Sequence, residues 1–124
     1  TDQPLFLNAV AELNTNLSPH TLLAHFFEIE SALGRVRNQH WGPRTLDLDM
    51  LAYDQKVLCE NQLTLPHPAA ARRRFVLQPW ADIAPEFCVP GLEATVDQLL
   101  KQAPQQQVRR LFSAAELKRF LKEG

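Results

Sequence analysis

The feature that most constrains this chain is the two-residue alternation in "RTLDLDML" at 44–51. In an extended segment Leu46, Leu48 and Met50 fall on one side, and Asp47, Asp49 and Leu51 on the other. The pattern predicts a strand over 45–53 with an apolar back and two carboxylates on its front. Residues two apart on a strand lie about 6.5 to 7 Å apart at Cα. Two carboxylates ~6 Å apart repel by roughly 3 kcal/mol at an effective dielectric near 20, and by well under 1 kcal/mol in bulk water. An exposed pair is therefore tolerated, whereas a pair lining a cleft needs a cation. Hard Mg²⁺, which takes few protein carboxylates and completes its shell with water and phosphate oxygens, suits such a pair.

The rest of the chain supplies elements that can surround that strand. "LFLNAVAEL" at 5–13 also alternates: Leu5, Leu7, Ala9, Ala11 and Leu13 make an apolar face, and Phe6 and Asn8 sit side by side on the other. Ser18 followed by Pro19 reads as an N-cap with proline at the first helical position. Leu22, Phe26, Ile29 and Leu33 then recur at helical spacing, which predicts a helix over about 19–33 stopped by Gly34. "RVRNQHWGP" has neither period and predicts a mobile loop over 34–43.

Beyond the aspartates, short β-prone pieces fall at about 57–59 and 63–65, and "AAARRRFVLQPWADIAP" reads as helical turns broken by Pro79 and Pro85. Thr95 is placed to cap a short helix to about 102, and Ser113 with Glu116 forms a capping box for a last one. The sum is α+β in layers: one domain over 1–124, with an antiparallel or mixed central sheet flanked by helices.

Composition narrows the partners. In 124 residues, 13 Lys and Arg stand against 14 Asp and Glu, so no whole-molecule field draws nucleic acid or a membrane surface. Apolar runs fall far short of the ~20 residues of a spanning helix. Cys59 and Cys88 form no Cys-x-x-Cys and no metal spacing, which suits a reducing cytoplasm. The chain opens Thr1-Asp2-Gln3-Pro4 and runs at once into a strand-like segment, so it reads as entered midway.

The neighbours of the aspartates point to chemistry. Arg35, Arg37, His40, Trp41 and Arg44 stand upstream, and His67 and Arg72 to Arg74, followed by Phe75, stand downstream. Carboxylates able to hold metal, among guanidinium forks, are the parts that phosphoryl transfer needs. No glycine-rich phosphate loop is present, so arginines would have to cradle the phosphates. Phe6, Trp41 and Phe75 offer flat apolar faces for a planar heterocycle.

At "HWGPRTLDLDML" the chain resembles the 6-hydroxymethyl-7,8-dihydropterin pyrophosphokinase family of folate biosynthesis. The likeness extends to "FLNAV", "IESALGRVR", "LTLPHP" and "RRFVLQPWADIAPE", in unbroken order over about 2–90. It implies a ferredoxin-like layered fold and a Mg²⁺-dependent transfer of pyrophosphate from ATP to the pterin hydroxymethyl group, with release of AMP. By the same resemblance Asp47 and Asp49 hold two Mg²⁺ ions. Phe6, Asn8, Trp41 and Phe75 bind the pterin. Arg35 and Arg37 match a mobile catalytic loop, and Arg44, His67 and Arg73 match groups that contact ATP phosphates. Thr64 and the backbone near Met50 fall at ribose and adenine contacts. The family is monomeric and cytoplasmic.

The resemblance also implies a first strand ending in Gly-Ser-Asn and a helix ahead of Thr1; without them, sheet edges and apolar surface would favour self-association. Residues 91–124 carry no family motif and read as a packing and capping appendage. Two rival readings share these parts. A Mg²⁺-dependent nucleotidyltransferase would release pyrophosphate in place of AMP. A fragment without turnover would serve as a binding or assembly module.

Overall fold

The computed structural model describes residues 8–37 and 47–104, with Arg35, Val36 and Arg37 described by backbone alone. They form two compact units, 14–67 and 8–13 with 68–104. The class is α+β, with three α-helices and two short antiparallel ladders among the described residues.

In the 14–67 unit, helix α1 spans Pro19–Arg37. Its start follows the Ser-Pro signal: the Ser18 hydroxyl accepts from the Thr21 N–H at 3.2 Å, and the Ser18 carbonyl accepts from Leu22 at 2.9 Å. Contrary to expectation, Gly34 does not end the helix, which runs on through the first four residues of the predicted loop, to Arg37. An interior glycine costs a helix only about 1 kcal/mol, and arginine is a good helix former. A Cβ at Gly34 would meet no atom within 4 Å, so no close packing requires the glycine there. Residues 38–43 of the predicted loop lie outside the described residues.

Strands β1 (Leu58–Cys59) and β2 (Thr64–Leu65) pair antiparallel, Leu58 with Leu65 and Cys59 with Thr64, close to where the sequence places them. Met50, Leu63 and Leu65 are buried together, and Leu22, Leu23 and Phe26 of α1 pack on them with Tyr53 and Leu58. Only part of the predicted apolar face of α1 is used: Ile29 and Leu33 remain 45% and 37% exposed. The helix reaches beyond the small cluster its first turns cover. Its start is further tied down by His20 Nε2 against Glu60 Oε1 at 2.7 Å and by the Tyr53 hydroxyl, which donates to the Leu17 carbonyl.

In the other unit a 3₁₀ turn at Ala70–Arg72 leads into α2 (Arg74–Ile83). Pro79 was expected to break this segment, yet it lies inside the helix. An interior proline removes one hydrogen bond and costs about 3 kcal/mol. Burial of Leu77 and Trp80 on one face offsets that cost, since each large apolar side chain contributes roughly 1.5–3 kcal/mol. The helix ends as expected before Pro85, with Ala84 N–H on the Trp80 carbonyl.

A hairpin the sequence reading did not anticipate follows. Strands β3 (Cys88–Val89) and β4 (Ala94–Thr95) are joined through Pro90 and Gly91, with Gly91 at φ +83° and the Leu92 N–H closing on the Val89 carbonyl. Proline then glycine at positive φ is the signature of a type II turn. Thr95 then caps α3 (Val96–Gln102) with the full reciprocal box: its hydroxyl accepts from Gln98 N–H and the Gln98 side chain accepts from Thr95 N–H. The predicted last helix at Ser113 and Glu116 lies outside the described residues.

Two predicted strands are not seen as strands. Residues 8–13 and 47–53 form no ladder among the described residues. Alternation licenses a strand, but only a partner with free backbone groups makes one. In 8–13 the expected apolar face is exposed, Leu13 by 57%. In 47–50 the alternation survives without the ladder: Asp47 and Asp49 are exposed, Leu48 is half-buried and Met50 buried.

Because Leu77 is wholly buried in the second unit, Leu77→Ala should lower unfolding free energy by about 2–5 kcal/mol. Thr95→Ala should cost about 1 kcal/mol through the lost cap. Urea titrations of both variants against the parent measure the two losses.

Candidate functional site

The expected site residues divide between the two units. Asp47, Asp49, Met50, Thr64 and His67 lie in 14–67, and Asn8, Arg73 and Phe75 in the other. Phe6, Trp41 and Arg44 fall outside the described residues, and Arg35 and Arg37 form the last turn of α1, described by backbone alone.

In the 14–67 unit the two aspartates flank Leu48, and both are exposed. No ion pair among the described residues engages either carboxylate. The backbone between them is held by a side chain: the Leu48 N–H donates to a carboxylate oxygen of Glu30 on α1. Sequence reading missed Glu30, although its place in "IESALG" on the helix before the aspartates was visible. On the next residues, Met50 enters the core, so only its backbone remains for a ligand. The Leu51 carbonyl accepts from His67 N–H at 2.8 Å, which sets the stretch after β2 beside the aspartate segment. Thr64 is half-buried in β2, and its hydroxyl donates to the Glu60 carbonyl at 3.3 Å.

The donor set fits a hard divalent cation. Two exposed carboxylates two residues apart supply oxygen ligands with lone pairs that no described cation has taken up.

In the second unit the three consecutive arginines have separate fates. Arg74 is half-buried, and its guanidinium donates to the carbonyls of Leu100, Ala103 and Pro104 at 3.0, 3.2 and 3.2 Å. Arg72 and Arg73 are exposed and line an open cleft of about 340 Å³ with Pro68 and Ala69. Arg73 caps α2 through its backbone carbonyl, which accepts from Val76 and Leu77, so its side chain is not used in capping. Its guanidinium carbon stands 5.8 Å from the centroid of the Phe75 ring, within cation–π range. Guanidinium forks on an open cleft suit phosphate or carboxylate oxygens, and a half-buried ring beside them suits a flat heterocycle. Asn8 is exposed.

No helix among the described residues is long and apolar enough to cross a membrane. The chain matches the family model described as 7,8-dihydro-6-hydroxymethylpterin-pyrophosphokinase (HPPK) over residues 1–85. It is 46% identical over 104 residues to the 2-amino-4-hydroxy-6-hydroxymethyldihydropteridine pyrophosphokinase of Methylorubrum extorquens, covering 84% of this chain and 65% of that protein. Proteins of the same name from Synechocystis sp. and Pseudomonas aeruginosa are each 44% identical, over 100 and 110 residues. Those matches cover 81% and 89% of this chain, and 51% and 67% of the relatives. The chain thus spans about half to two thirds of the length of the curated relatives it matches.

If the Glu30 carboxylate holds the Leu48 backbone, Glu30→Ala should lower stability by about 1–3 kcal/mol and speed exchange of the Leu48 amide hydrogen. Glu30→Gln keeps an acceptor and should lose less. Amide exchange followed by NMR, with a urea titration, checks both.

Proposed function

Since the chain belongs to the 7,8-dihydro-6-hydroxymethylpterin-pyrophosphokinase family, we propose that the protein transfers pyrophosphate from ATP to 6-hydroxymethyl-7,8-dihydropterin and releases AMP. The observation that carries this reading is the pair of exposed carboxylates on either side of a backbone held from α1, inside the segment that the family model matches.

In the proposed site Asp47 and Asp49 hold two Mg²⁺ ions. Bound there, Mg²⁺ would neutralise phosphate oxygens and polarise the reacting groups. Arg44, His67 and Arg73 contact the ATP phosphates, and Arg35 and Arg37 contribute cations as charge builds on the transferred group. Thr64 and the Met50 backbone contact ribose and adenine. Asn8, Phe6, Trp41 and Phe75 bind the pterin, the rings by stacking and Asn8 by hydrogen bonds. The pterin hydroxymethyl oxygen attacks the β-phosphorus in line, the bond from the β-phosphorus to the bridging oxygen of AMP breaks, and the hydroxyl proton passes to water or a carboxylate.

The open cleft that Arg73 lines, and the Phe75 ring beside its guanidinium, support this division of roles. The substrates are small molecules, and we place the protein in the cytoplasm as a monomer.

Product analysis tests the reaction directly. With Mg²⁺, ATP and 6-hydroxymethyl-7,8-dihydropterin, the protein should form AMP only when pterin is present. ADP or free pyrophosphate as the main product would refute the reading. Asp47→Ala or Asp49→Ala should abolish turnover and weaken Mn²⁺ binding measured by electron paramagnetic resonance. Trp41→Ala should mainly raise KM for pterin, by roughly tenfold or more if one stacked ring is worth ~1.4 kcal/mol.

A further inference from the structure

Among the described residues, the Arg74 guanidinium anchors the second unit through three hydrogen bonds. It reaches three main-chain carbonyls at the C-terminal end of α3, those of Leu100, Ala103 and Pro104. The last carbonyls of a helix carry the negative end of its dipole and keep acceptor capacity that the helix does not fill; here the Leu100 carbonyl also accepts from Ala103 N–H. A planar cation with several fixed N–H groups satisfies them in one orientation, which a flexible ammonium cannot reproduce. Arg74 is also the first residue of α2, and its chain neighbours are Arg73 and Phe75. While the Arg74 side chain is held on α3, those of Arg73 and Phe75 meet each other in the cation–π contact. Leu77 of α2 and Val96 of α3 are both fully buried.

We propose that Arg74 is a positioning residue: by locking the first turn of α2 to the end of α3, it fixes where Arg73 and Phe75 present a guanidinium and a ring to the substrates. The inference rests on the reading that Arg73 and Phe75 bind ATP and pterin. It extends that reading to α3, which lies beyond the residues matched by the family model. The hairpin and the Thr95 capping box then serve the same end, because they set the length and direction of the helix that Arg74 grips. Small displacements of binding groups are enough to weaken substrate capture.

The test compares Arg74→Ala, Arg74→Lys, Arg73→Ala and Phe75→Ala in the full-length protein, reading KM for ATP and pterin, kcat, and the melting temperature. Expected for Arg74→Ala is a KM for one or both substrates raised by roughly tenfold, a smaller change in kcat, and partial recovery in Arg74→Lys. A melting temperature lowered with both KM values unchanged would overturn the proposal, since that is the mark of a structural anchor alone. If Arg74→Ala does not fold, Arg74→Lys is read in its place, with raised KM supporting the proposal and unchanged KM refuting it. Unchanged KM in both Arg73→Ala and Phe75→Ala would overturn the underlying assignment of substrates, and with it the positioning role.

Discussion

The burial of Met50 with Leu63 and Leu65 is the contact on which the aspartate segment depends. With Met50 buried, an extended chain must turn Asp49 outward, leave Leu48 against the protein and turn Asp47 outward again. A slip of one residue would drive both carboxylates toward an apolar cluster that holds no cation to receive them. The same cluster carries Leu22, Leu23 and Phe26, so the helix that supplies Glu30 and the segment that Glu30 holds share one core. Apolar packing sets the direction of the polar groups.

Much of the backbone near these residues is satisfied by side chains and not by ladders. Glu30 takes the Leu48 N–H, Ser18 takes that of Thr21, the Tyr53 hydroxyl takes up the Leu17 carbonyl, and Arg74 takes three carbonyls at the end of α3. A buried or half-buried peptide group without a partner costs about 1–3 kcal/mol, so each of these side chains stabilises irregular chain that would otherwise be expensive. Irregular segments held in this way can present functional groups at angles that a flat ladder would not allow.

Local signals were legible where the physics is local. The Ser18-Pro19 start of α1, the Thr95 cap of α3 and the places of β1 and β2 were readable because each needs only residues a few positions apart. The alternation of Asp47 to Met50 was readable for the same reason. Gly34 and Pro79 misled because a breaker is overruled when the fold offsets its local penalty, about 1 kcal/mol for the glycine and about 3 kcal/mol for the proline. The β3–β4 hairpin went unread although Pro90-Gly91 carries a turn signal; two-residue strands are too short to show a period. Glu30 and Arg74 looked like ordinary helix-face charges, and only their distant backbone partners, 18 and 26 to 30 residues away in the chain, make them anchors.

By itself the sequence determined the residue chemistry of this protein: an α+β chain in which two carboxylates alternate with apolar residues, amid arginines and aromatic rings, in the pattern of the pterin pyrophosphokinase family. Side-chain type and short-range period are properties of the chain before it folds. Tertiary structure decided which of these groups remain available. Of three consecutive arginines, one is committed to the end of α3 and two face an open cleft. Of the apolar positions along α1, the first turns enter a core and the later ones do not. Those outcomes depend on which carbonyls and methyl groups the fold brings within reach, which no local pattern encodes.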